Sequence, residues 1–158
     1  MKVLFYALSI LMAQHLFGQI SIEPARIGIF VSDVEKASSW YENNLDFKIY
    51  KKMEFPEYDN LKIYFLKNGT FEIELIEKTT SFSITTLKPD YNMNSEPLEG
   101  FFKITFKVND IDQVYHKLKD NGVREMFGLT YDQEFDQYYC IIMDSDGNVI
   151  QLIGQIKK

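Results

Sequence analysis

Hydrophobic and polar residues alternate along 25–31, and the pattern predicts a strand. Ile27, Ile29 and Val31 share one face, while Arg26, Gly28 and Phe30 share the other. Asp33 then stands where a helix would be capped, and Val34, Ala37, Trp40, Tyr41 and Leu45 recur at helical spacing. Phe47 to Met53 reads as a second strand, and 55–60 as a turn containing Pro56. Leu61 to Leu66 and Thr70 to Ile76 read as two further strands joined by the hairpin signal Asn68-Gly69. The order is βαβββ.

The same order returns. Phe101 to Val108 alternates, with Ile104, Phe106 and Val108 on one face and Lys103, Thr105 and Lys107 on the other. Ile111, Val114, Tyr115 and Leu118 form a helical stripe that Asn121-Gly122 closes. Strands are predicted over Val123 to Thr130, Gln137 to Met143 and Val149 to Ile153, the last two joined by a tight turn at 144–148. Val31-Ser32-Asp33 of the first unit matches Val108-Asn109-Asp110 of the second, so the chain reads as an internal duplication. The first unit covers 24–77 and the second 101–154. Between them 78–100 has no sustained period; a plain linker and a functional loop both fit such a segment.

Composition narrows the setting. The 158 residues suffice for one domain with a real core, and 13 Phe and 10 Tyr argue against disorder. A net charge of -6 with no basic run argues against nucleic acid and anionic membrane as partners. Met1-Lys2, the apolar run Val3 to Ala13 and Gly18-Gln19 read as a secretory signal over 1–18. A single folded domain over 19–158, exported to the periplasm or outside the cell and free of the membrane after signal removal, is therefore expected. Cys140 is the one cysteine, which leaves no internal disulfide and no metal-binding spacing.

Two βαβββ units that each open with V-x-D, and a closing stretch Asp144-Ser145-Asp146-Gly147-Asn148-Val149-Ile150-Gln151-Leu152, resemble the vicinal oxygen chelate superfamily. That group includes glyoxalase I, the bleomycin-resistance proteins and the extradiol dioxygenases. The resemblance implies an α+β fold, in which tandem βαβββ modules form a half-open mixed β-barrel with helices outside. It places Arg26, Gly28 and Phe30, and in the second unit Lys103, Thr105 and Lys107, along a cavity. It also implies four metal-ligand positions, usually His or Glu, on the first and last strands of each unit. Here those positions hold Arg26, Glu74, Lys103 and Gln151.

Of these four, Glu74 alone is a strong ligand, because Arg and Lys offer no lone pair at neutral pH. After signal removal one histidine remains, His116, off the apolar stripe of its helix. Neither metal nor cofactor is expected. Two readings of the four positions stay open: a structural ion-pair cluster, or a site where Arg26 and Lys103 hold an anion with Glu74 orienting them. Phe55, Tyr58, Phe127, Tyr131, Phe135, Tyr138 and Tyr139 are expected near a cavity mouth and would suit an aromatic ligand. The expected function is small-molecule binding between the modules, through Arg26, Phe30, Glu74, Lys103, Thr105 and Gln151. A glyoxalase- or dioxygenase-type enzyme and a ligand-free interaction module are the alternatives. Because half-barrels leave edge strands, a homodimer is expected.

Overall fold

The computed structural model describes residues 25–157, so the leader expected over 1–18 lies outside the described residues. The first unit contains β1 (Arg26–Phe30), α1 (Val34–Leu45), β2 (Lys48–Phe55), β3 (Leu61–Asn68) and β4 (Phe71–Glu77). A short helix, α2 (Ile84–Leu87), lies in the connector. The second unit contains β5 (Lys103–Lys107), α3 (Ile111–Asp120), β6 (Glu125–Asp132), β7 (Gln137–Met143) and β8 (Val149–Gly154). Each unit makes one four-stranded sheet, ordered β1-β4-β3-β2 and β5-β8-β7-β6. β1 pairs parallel with β4, and β5 parallel with β8; the other pairs are antiparallel. This is the expected α+β architecture with its sheets left open.

Local chemistry explains the element ends. The Asp33 and Asp110 carboxylates accept from the backbone N–H of Lys36 (2.9 Å) and Gln113 (3.4 Å), satisfying donors that a helix start leaves unpaired. Glu77 adds a second cap on α1, accepting from Val34 N at 2.8 Å. Asp46 ends α1 in the left-handed region, at φ 54°. β2 runs on to Phe55 and β6 to Asp132, beyond the ends their sequences predict, while the expected strand start at Phe101 moves to Lys103.

The alternation of β1 and β5 is observed, with Ile27, Ile29, Ile104 and Phe106 turned toward the core and their neighbours exposed. One core serves both units. Val34, Ala37 and Tyr41 of α1 join Leu66, Ile73 and Leu75 of the first sheet, and Ile111, Leu118, Ile142, Ile150 and Leu152 of the second unit. The Phe106 ring lies 5.8 Å from Phe47 and 5.3 Å from Phe71. Burial of this apolar surface is the main force holding the units together.

The closing motif has a structural role. Asp144 is buried, and its Oδ1 accepts from the backbone N–H of Asp146 and Asn148, each at 2.9 Å. Its Oδ2 accepts from Asn148 Nδ2 at 2.9 Å and from the Tyr41 hydroxyl of the first unit at 3.0 Å. Asp146 accepts from Ser32 N at 2.7 Å, a second tie between units.

Candidate functional site

The six residues singled out from the sequence fall into three places. Arg26 and Glu74 meet on the exposed face of the first sheet, where the guanidinium donates to Glu74 Oε1 at 2.9 Å. The other Arg26 nitrogen, Nη2, lies 3.1 Å from Glu72 Oε2, and Tyr50 donates to the same glutamate at 2.8 Å. Register explains the arrangement: β4 residues 72 and 74 lie beside Arg26 and Gly28 on one face of a parallel pair. The guanidinium lies 5.4 Å from the centroid of the Phe65 ring, which is buried. Its hydrogen bond to Glu74 holds Arg26 firmly protonated, and the hydrogen bond to Glu72 pushes the Tyr50 phenol above its ordinary range.

Glu72 is the residue the sequence reading missed. Its signal was present in Glu72-Ile73-Glu74, since period two puts both acids on the same face. With Glu72 counted, two carboxylates flank the one guanidinium, and Lys51 and Lys67 stand beside the same rings, 5.8 Å from Phe65 and 5.6 Å from Tyr50.

Thr105 and Gln151 meet on the exposed face of the second sheet, where the hydroxyl donates to Gln151 Oε1 at 3.2 Å. Among the described residues no hydrogen bond or ion pair links this pair to the Arg26 cluster.

Phe30 and Lys103 line a groove of about 440 Å³, a size within the range of small-molecule sites. It runs between β1, β5 and the connector, whose Ile84, Tyr91 and Leu98 supply one wall together with Phe102. Phe30 is 60% exposed, Leu98 61% and Phe102 51%, so the walls present apolar surface to solvent. Lys103 is the one ionisable side chain among these walls apart from the Tyr91 phenol, and it has no ion-pair partner among the described residues. Asn148 also lines the groove, but its amide donates to Asp144. The connector is therefore part of the groove wall, shaped by the Ser83-capped turn of α2 and a Lys88–Glu96 ion pair.

The other aromatics lie elsewhere. Phe55 and Tyr58 pack 6.3 Å apart by the β2–β3 turn, and Tyr131 and Tyr138 pack 5.0 Å apart on β6 and β7. None of the seven expected at a cavity mouth lines this groove, whose aromatic walls are Phe30, Tyr91, Phe101 and Phe102. Cys140 is buried, and burial pushes its thiol up to about 11. His116 is a surface residue 3.6 Å from Asp112.

Tandem βαβββ units with this strand order define a glyoxalase-type fold, and comparison with known proteins agrees. Residues 23–152 match the family model of the Glyoxalase/Bleomycin resistance protein/Dioxygenase superfamily, and the chain belongs to that family. It is 28% identical over 140 residues to glyoxalase I of Saccharomyces cerevisiae, covering 78% of this chain but only 42% of the yeast protein. It is 26% identical over 134 residues to the uncharacterized protein YraH of Bacillus subtilis, covering 80% of this chain and 94% of that one. Among solved structures, a glyoxalase family protein from Enterococcus faecalis superposes with TM-score 0.64 at 22% identity, covering 84% of this chain and 96% of its own. Glyoxalase I from Zea mays superposes with TM-score 0.62 at 17% identity, covering 86% of this chain and 46% of its own. These likenesses establish the fold.

Proposed function

We propose that this chain is an exported, metal-independent member of its family that binds a small anionic or aromatic molecule between its two units. The observation that carries the metal-independent part of the reading is Arg26 in place of a metal ligand, held by Glu74 at 2.9 Å and Glu72 at 3.1 Å. A divalent ion needs lone pairs where Arg26 and Lys103 bring positive charge. Gln151 adds an amide oxygen that already accepts from Thr105. This donor set does not fit the metal of the family's enzymes. The groove, with its apolar walls, supplies the alternative use of the fold.

Elemental analysis of the purified protein tests the metal part. Less than about a tenth of an equivalent of Zn, Ni, Fe or Mn per chain is expected, whereas a stoichiometric ion lost on Glu74→Ala would overturn it. Cell fractionation tests export. Light scattering tests the homodimer, which we propose on the strength of the unpaired outer edges of β2 and β6.

The likeness to yeast glyoxalase I favours a second reading, a glyoxalase-like lyase. Thiol-conjugate lyase activity in metal-supplemented protein, abolished by Glu74→Gln, would establish it over the first.

A further inference from the structure

We infer that the groove takes an amphipathic monoanion, its single charged head at Lys103 and its apolar body along Phe30, Leu98 and Phe102. This deepens the binding reading above and rests on it. The argument begins with what the groove lacks. A dianion such as a phosphate monoester is ordinarily held by several donors, through an Arg fork, a run of backbone N–H groups or a helix start. Here Lys103 is the one cation on the walls; the neutral side-chain donors beside it are the Tyr91 hydroxyl and the Asn148 amide, one N–H of which goes to Asp144. Arg26 is held by two glutamates on the open face of the first sheet. One ammonium balances one negative charge.

The surroundings sharpen the choice. The chain carries a net charge of -6, so its field repels polyanions and leaves Lys103 as a local exception. Ile84, Leu98, Phe30 and Phe102 offer no hydrogen bond to a second polar group, and their exposed surface gains by being covered. A small hydrophilic anion would leave that surface wet. A neutral apolar molecule would leave the ammonium beside it without a partner. Tail and single head together satisfy both.

Titration calorimetry with four probes tests the inference on the purified mature chain. Octanoate has tail and charge, octan-1-ol the tail alone, acetate the charge alone, and octylammonium the tail with the opposite charge. Octanoate is expected to bind at least tenfold more tightly than each of the other three. Lys103→Met should weaken octanoate about tenfold or more, the scale of a hydrogen bond to a charged group, while Lys103→Arg restores most of it. Phe102→Ser should weaken octanoate and octan-1-ol in parallel. Circular dichroism and thermal melting on each variant show whether it is folded.

If octan-1-ol binds as well as octanoate, the monoanion inference fails while small-molecule binding stands. If no probe binds, but sedimentation shows a dimer that Phe102→Asp splits, the groove is an interface between copies and both readings fail. If no probe binds to a monomer, both fail as well.

Discussion

The Tyr41 hydroxyl, on the helix of the first unit, donates to the buried Asp144 carboxylate of the second across 3.0 Å. Burial, then the adjacent carboxylate, pushes the tyrosine far above its ordinary range. Tyr41→Phe is expected to destabilise the protein by about 1.5 kcal/mol at pH 8, the cost of one hydrogen bond to a charged group. In the folded state Tyr41 stays protonated where the unfolded tyrosine, near 10, has ionised. Its contribution is therefore complete below about pH 10 and is lost as pH rises beyond. Urea denaturation of both proteins from pH 8 to 11.5 should show the stability gap narrowing above pH 10.

Asp144→Ala removes the acceptor for four donors, two of them backbone N–H groups of the turn before β8. A loss of about 3 kcal/mol or more is expected, because buried donors are left without partners. Asp144→Asn should recover part of it. Thermal melting of the three proteins checks the order.

Gly154 sits against the start of α3. A Cβ there would lie 2.6 Å from the Val108 carbonyl oxygen and 3.4 Å from Ile111 Cβ. Backbone has to move to admit it. Gly154→Ala is expected to cost about 1–3 kcal/mol, the range for overpacking a filled interior, as read from the urea midpoint.

Arg26 and Lys103 hold equivalent places in the duplication but should behave differently. Arg26 is paired twice on an exposed face, whereas Lys103 lines the groove. Arg26→Met should leave octanoate affinity within about twofold of the parent, against the tenfold loss for Lys103→Met. Equal losses would mean that the open face of the first sheet takes part in binding.

Cys140 is walled in by the core, and burial holds the thiol up to about 11. At pH 7.5 a disulfide-exchange reagent should not titrate it in folded protein and should titrate one thiol per chain in denaturant. Reaction at the same rate in both would contradict the packing around β7.

The fold was legible because period and punctuation agree. The alternation about Ile27, Ile29, Ile104 and Phe106, the caps Asp33 and Asp110, and Gly69 at φ 60° in the β3–β4 turn each specify an element locally. The site was less legible because side-chain partnership is not local. Glu72 claims one side of Arg26 through a strand pairing that no single stretch encodes. The connector lacks a period, so its apolar residues carried no direction in the sequence. Phe101 and Phe102 break the alternation that begins at Lys103, and that break marks where the chain leaves the sheet to wall the groove. Asp144 opens a recognisable motif, but its tie to Tyr41 spans 103 positions.

One wall of the groove comes from a segment that neither repeat unit contains. Residues 84, 91 and 98 belong to the span that joins the repeats, and they contribute nothing to the buried core cluster. Change at those three positions would therefore leave the shared core of the two repeats untouched. Lineages descended from one duplication would then keep their repeats recognisable while their bridges drift apart. Aligning the repeats alone would group such proteins by ancestry, and aligning the bridges would group them by the shape of that one wall.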